Sequence, residues 1–473
     1  MPYRDVPPQL TARARRAPGA GGAVAEETLA PPGPEAITVA DLDLAGPDGP
    51  VLSCTPAPGG PEPVSGGDAY ALVRLGGVPV ATVLTHIPQG ADPAEALAAA
   101  YRAHHAHREA GTAGTAGGAG AGACDRVRRA AEPPRTTVVV ATRERAGRLA
   151  RALDSLLAQD HPDFGIIVVD NAPATPATSE LVTYAYAGRV TYVREPVPGL
   201  AAAHNRGLSA VPPGTDVVAF TDDDVVADPH WLTSLTAPFA ADPRLGCATG
   251  LILPARLTTR AQILLESHGG FAKGFTPRLY DPAAPPADEP LFPFTAGSFG
   301  SGANMAFRTE VLRAVGGFDP ATGTGTAARG GDDLYGFVRV LSEGHRLRYT
   351  PDALVWHHHR ETWQDLRNQA YGYGVGLTAY LTAVLVRRPA LLPALLAKMP
   401  RGLAHARAIT AHRPAAPGAG TGAVEGRPAA PGTHGGQGHP WPRSLSRLER
   451  MGMLYGPLGY ARARFAQRGR RRT

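Results

Sequence analysis

A chain of 473 residues can hold two or three domains, one of them large enough for a buried parallel sheet. Its net charge of +6 is modest, and its basic residues are nearly all Arg, many of them in the last thirty positions; that local tail does not make the basic stripe of a nucleic-acid-binding domain, so no nucleic acid is expected as a partner. Three scattered Cys without metal-ligand spacing argue against a disulfide framework or zinc site, the first twenty residues lack an apolar signal core, and no run reaches the roughly 18 apolar residues of a spanning helix, so a cytoplasmic protein is expected, soluble or peripheral at the inner face of the membrane.

Residues 1–35 are rich in Pro, Gly, Ala and Arg without periodicity and read as disordered. From 36 to 110 a small β-rich accessory module follows. Residues 37–44 alternate, the runs 69–75 and 78–84 flank Gly76-Gly77 as a hairpin, and Pro93 opens an Ala-rich helix to about His107. The module carries no paired acid/base candidates, which points to scaffolding. Residues 111–134 form a Gly/Ala/Thr linker.

Residues 135–365 alternate strand and helix at short intervals. Apolar β-branched runs at 136–142 and 164–169, a weaker one at 189–193 and another at 216–220 are separated by helices at 145–159 and 199–210, a pattern that implies parallel strands with right-handed crossovers. Sites in such sheets lie beyond the carboxyl ends of the strands. The polar residues fall there: Thr142 and Arg143 after the first strand, Asp170 after the second, and Asp222, Asp223 and Asp224 after the fourth. Three adjacent carboxylates repel one another unless a cation, a ribose or solvent relieves them. A divalent metal holding a diphosphate is one reading; an acidic turn that starts a helix is the other. The first strand is followed by neither Gly-x-Gly-x-x-Gly nor a Walker A loop, so a nucleotide here is expected to be held through a metal.

Eight segments in order resemble family 2 glycosyltransferases: Ala141-Thr142-Arg143-Glu144-Arg145, Val168-Val169-Asp170-Asn171, the stretch 198–207, the Asp triplet, 302–308, Gly316-Gly317-Phe318-Asp319, Gly330-Gly331-Asp332-Asp333 and His357-His358-His359-Arg360. The resemblance implies an α/β chain with a GT-A domain, a Rossmann-like, mostly parallel sheet flanked by helices, preceded by the small module and followed by a helical extension. It assigns Thr142, Arg143, Asp170, Asn205, Asp222 and Asp223 to the nucleotide-sugar, Asp224 to Mg²⁺ or Mn²⁺, and His357 to the same metal shell, with a surface or capping His as the alternative. Asp332 explains itself as an N-cap, but two carboxylates need more. The resemblance makes one of the pair the general base for an acceptor hydroxyl, a role carried to Asp333 with Asp332 in support, and a single base predicts inversion at the anomeric carbon.

Residues 366–409 read as a helical extension broken at Pro389, 410–442 as a disordered linker, and 443–473 as a basic amphipathic tail that either touches a membrane surface or packs on the domain. The Gln-x-x-Arg-Trp signature of processive synthases is missing, which favours transfer of a single sugar. A nucleoside-diphosphate sugar is the expected donor, UDP by family frequency alone, and the acceptor is left open among glycan, lipid-linked and small molecules. The competing reading is a catalytically silent sugar-nucleotide-binding scaffold of the same fold.

Overall fold

The computed structural model describes residues 36–111, 133–268, 270–400 and 441–470. The segments read as disordered or as linkers (1–35, 111–134 and 410–442) lie outside these residues except at their edges, as do 401–409.

β1 (Ile37–Leu44), β2 (Val51–Pro56), β3 (Asp68–Leu75) and β4 (Val78–His86) form a sheet in the order β2-β1-β3-β4, followed by the Pro93–Gly111 helix. The β3–β4 hairpin closes through Gly76 and Gly77, both at positive φ (57° and 85°), a turn that side-chain-bearing residues enter only with strain. β2 carries little apolar signal and was not legible in the sequence; it pairs antiparallel with β1. One sheet face packs Leu42, Val73 and Leu97 into a core of its own. The other joins Val39, Tyr70 and Leu72 to Leu253, Leu354 and Trp356 of the larger domain. Arg74, buried, bridges Asp41 at 2.8 Å and Asp228 at 2.7 Å. The module therefore covers apolar surface that the larger sheet otherwise exposes.

The larger sheet comprises β5 (Thr136–Thr142), β6 (Phe164–Asn171), β7 (Thr191–Glu195), β8 (Val217–Asp222), β9 (Val225–Ala227), β10 (Leu245–Pro254), β11 (Arg278–Tyr280), β12 (Asn304–Arg308) and β13 (Arg346–His357). Its order is β11-β13-β10-β12-β8-β5-β6-β7, with β9 paired to β13. β5 is buried throughout because both faces are covered: Val138 and Val140 meet Leu149 and Leu153 of the Ala146–Leu157 helix, and Val139 and Ala141 share a core with Ala203 and Leu208 of the Leu200–Ala210 helix. β5 to β8 are parallel as expected, but β12 inserts antiparallel between β8 and β10, and the sheet is mixed.

After β13, the Trp363–Arg387 helix packs against the C-terminal helix, Arg443–Arg470, at very close range. A Cβ on Gly374 would strike the Glu449 carbonyl, and one on Gly452 the Tyr371 carbonyl. No single helix among the described residues is long and apolar enough to cross a membrane; by length and composition only the pair Trp363–Arg387 and Pro389–Pro400 passes, and it is bent by 113°.

Candidate active site

The ends of three parallel strands lie in one row. Thr142 is the register partner of Asp170, and Ala141 of Asp222. Thr142 Oγ1 donates to Asp223 Oδ2 at 2.7 Å, so the Asp223 carboxylate is held by a side chain of the first strand end. Asp170 is fully buried; its Oδ2 accepts the Tyr192 hydroxyl at 2.9 Å, while Oδ1 has no partner. Burial raises its pKa. Glu144, at φ 55°, accepts from the amides of Ala174 (2.7 Å) and Thr175 (3.1 Å) and so ties the loop after β6 to the loop after β5.

Two expected nucleotide-side residues are placed differently. Arg143 is exposed, and the cations at the triplet are Arg145, whose Nη1 lies 3.1 Å from Asp223 and 3.4 Å from Asp224, and Arg148, 3.8 Å from Asp224. Glu144 turns the chain between Arg143 and Arg145, and Arg145 sits at the N-cap of the following helix, facing the strand ends. Asn205 spends its amide on a neighbouring loop: Nδ2 donates to the Phe318 carbonyl at 2.8 Å, and Oδ1 accepts the Phe318 amide at 2.9 Å. Its contacts are those of a clasp for the loop after Gly317.

The triplet meets the His run through a short antiparallel pairing. β9 pairs with the end of β13, His357 opposite Val225, and the His358 amide donates to the Asp224 carbonyl at 2.9 Å. His357 Nε2 consequently stands 3.4 Å from Asp224 Oδ1. His357 Nδ1 lies 2.8 Å from His359 Nδ1, and His359 Nε2 lies 3.1 Å from Glu266 Oε2. A carboxylate only accepts, so His359 donates from Nε2 to Glu266; a neutral His359 then accepts from His357 Nδ1, which leaves His357 Nε2 as a bare lone pair. Burial pushes His357 down to about 3, so the ring is neutral at physiological pH. Asp224 and His357 thus face each other as two acceptors with no proton between them, an arrangement that a cation relieves. Two cis ligands at ~2.1 Å from one octahedral ion stand roughly 3 Å apart, close to this spacing. Among the described residues no three His, Cys, Asp or Glu side chains form a closed metal cage, so any ion here would take its remaining ligands from the bound molecule or solvent.

Burial works against ionisation throughout the triplet, but the outcomes differ. Asp222 is raised well above the ordinary carboxylate range by burial and by Asp224, Asp223 and Asp332, and Asp223 is raised by burial and Asp224. Asp224 alone is lowered, because its cationic surroundings outweigh burial; His357 is neutral near pH 7, so the lasting charges are Arg360, Arg145 and Arg148.

Asp332 and Asp333 open the Asp332–Ser342 helix, but the N-cap is Gly331 at φ 84°, so Asp332 is not the cap it could have been. A Cβ on Gly331 would also sit 2.6 Å from the Gly376 carbonyl. Asp333 Oδ2 accepts the Gly302 amide at 2.9 Å and Oδ1 its neighbour's amide, Leu334, at 2.8 Å. It is half-buried, and burial followed by the charge of Asp332 raises it to about 6 against the pull of both amides. Asp332 is buried with Oδ2 3.2 Å from His204 Nδ1, and the His204 ring lies 5.0 Å from Phe220 and 5.1 Å from Phe318. His204 and Arg145 were both inside quoted motifs but not selected from them; Glu266 lies outside every motif and had no sequence signal at all.

Residues 133–371, half of the chain, match the sequence profile described as "Glycosyltransferase like family 2". A pre-mycofactocin glycosyltransferase of Mycobacterium tuberculosis (strain CDC 1551 / Oshkosh) is 32% identical over 243 residues, covering 50% of this chain and 46% of that protein. The succinoglycan biosynthesis protein ExoW of Rhizobium meliloti (strain 1021) is 38% identical over 99 residues, 20% of this chain and 31% of that one. The chain thus spans at most about half the length of the curated relatives it matches. Among solved structures, the mannosyltransferase PcManGT of Pyrobaculum calidifontis, in complex with GDP-Man and Mn²⁺, superposes with a TM-score of 0.40 at 20% identity, covering 62% of this chain and 81% of its own. On the match that spans half its length, the chain belongs to glycosyltransferase family 2.

Proposed function

We propose that the protein is a metal-dependent, inverting, non-processive glycosyltransferase that moves a sugar from a nucleoside-diphosphate donor to an acceptor hydroxyl. The observation that carries this reading is the facing pair of Asp224 Oδ1 and the bare His357 Nε2, 3.4 Å apart, at the end of the strand row that presents Thr142, Asp170 and Asp222. In this reading Asp170 takes a donor group of the base or ribose on its unpartnered Oδ1, and Asp222 lies on the ribose side. Thr142 and Arg145 hold Asp223 in place, and Arg145 and Arg148 offer positive charge to the diphosphate. Asp224 and His357 hold Mg²⁺ or Mn²⁺. The ion, when bound, stabilises the negative charge that develops on the departing diphosphate. Glu266 and His359 act through His357: they set its tautomer so that the lone pair is at Nε2.

Asp333 is the base. Held by two backbone amides and raised to about 6, it is ionised at neutral pH yet basic enough to accept the acceptor's hydroxyl proton. As that proton moves to Asp333, the hydroxyl oxygen forms a bond to the anomeric carbon, and the bond from that carbon to the diphosphate breaks on the opposite face, giving inversion. Asp332 supports by raising the proton affinity of Asp333.

The test is a thermal-shift panel of nucleotide sugars with and without Mn²⁺. A donor should raise Tm only with the metal present, by mass action on the folded state. If no nucleotide sugar shifts Tm under either condition, the pocket assignment is wrong.

A further inference from the structure

The C-terminal helix is inverted relative to an ordinary surface helix, which turns its large apolar residues toward the core. Here the inner face is built from Leu445, Gly452, Gly456, Gly459, Tyr460 and Ala463, and Gly452 and Gly456 let the backbone approach the Trp363–Arg387 helix. The outer face carries Met451, Leu454, Leu458 and Phe465, with Leu454 85% and Phe465 70% exposed. Leu445 turns in, whereas Met451 and Leu454 turn out. Beyond the bend at Arg388, Leu392, Leu396 and Met399 add further exposed apolar side chains.

The charge on this helix is one-sided. Its 28 residues hold seven Arg and a single acid, Glu449. Arg447, Arg450, Arg462 and Arg468 are exposed and flank the apolar residues.

We propose that the outer face of Arg443–Arg470 docks on an anionic lipid surface, with Met451, Leu454, Leu458 and Phe465 entering the headgroup boundary and the flanking arginines pairing with lipid phosphates. A second copy of this chain is the poorer occupant, because a symmetric contact through this face sets Arg against Arg, whereas an anionic bilayer complements both components. The inner face of the same helix bears on the segment that leads to Asp332 and Asp333: Gly459 closes on the Ala327 carbonyl, and Tyr460 donates to Asp319 at 3.0 Å. Docking therefore places this helix between the lipid surface and the segment preceding the proposed base. The docking itself does not depend on the assigned chemistry.

The experiment is co-sedimentation of the full chain with vesicles of phosphatidylcholine alone and of phosphatidylcholine with phosphatidylglycerol. Binding is expected only to the anionic vesicles and should weaken with salt. Leu454→Asp with Phe465→Asp, and separately Arg447→Gln with Arg450→Gln and Arg468→Gln, should each lower vesicle affinity at least about tenfold. Their Tm should match the parent, since the altered side chains are exposed. The proposal is overturned if the parent binds neither vesicle, if it binds both equally, or if the variants bind as the parent does. It is also overturned if the Asp variants change the molecular mass in light scattering while the parent ignores vesicles, since a second copy then covers the face.

Discussion

The row of strand ends and the Asp224–His357 pair are built in different ways. Thr142, Asp170 and Asp222 are in line because three neighbouring parallel strands stop at the same level, so each is placed by its own strand and by ladder register. Asp224 and His357 meet only because three residues after the triplet pair with the end of β13, and the ring is then oriented by a helix from another part of the chain. The first arrangement tolerates change at single side chains. The second is a chain of contacts in which each link sets the next, so a change far from the ion should be felt at it.

Replacing a member of the pair breaks this contrast most directly. Asp224→Ala should lower transfer by about a thousandfold or more and abolish any Mn²⁺-dependent rise in Tm, because it removes one of two protein ligands. Steady-state assays beside thermal shift check this; an unchanged Mn²⁺ response would place the ion elsewhere.

Asp333→Asn should lower kcat by roughly 10²–10⁴-fold while leaving donor affinity intact. The parent should also lose activity about tenfold per pH unit below about 6, since the base must be ionised to act. Stability runs the other way. A carboxyl whose folded pKa is raised to about 6 binds its proton more tightly folded than unfolded, so its ionisation opposes folding as pH rises through that value. The Asn variant should therefore be more stable at pH 8, by on the order of 1 kcal/mol after allowance for its partial exposure. A less stable variant would contradict the assigned environment.

Glu266→Gln sharpens the comparison from a distance. It contacts neither the proposed ion nor any residue of the strand row, yet should weaken Mn²⁺ binding about 10–100-fold by releasing the tautomer of His357. Titration of the metal by calorimetry reads this without turnover. A merely structural role would lower Tm and leave the affinity of the folded protein unchanged.

The smallest effects separate two arginines. Arg145→Ala should raise the donor KM roughly tenfold, the order of one charge-assisted contact, whereas Arg143→Ala should change it less than about twofold. Equal effects would mean that Arg143 moves into the site when the donor binds.

The strands of the larger domain were legible because β5, β6 and β8 are short β-branched runs buried on both faces, a pattern few other structures produce. β2 was not, because an exposed edge strand needs little apolar character, and neither was β12, whose five residues were legible only as part of a motif and whose antiparallel direction leaves no mark in the strand itself. Within the site, Asp224 and Asp333 stood out as clustered carboxylates, but the difference between Arg143 and Arg145 rests on one left-handed residue, Glu144.

By itself the sequence determined that carboxylates would stand at the ends of parallel strands, since the apolar runs set the strands and the polar residues stop them. Tertiary structure alone decided which nitrogen of His357 is bare, that the carboxyl of Asp224 is lowered while those of its two neighbours are raised, and that the C-terminal helix turns its glycines inward. Each of these depends on charges, hydrogen bonds and close approaches between segments far apart in the chain, and such contacts exist only after the sheet has closed and buried them.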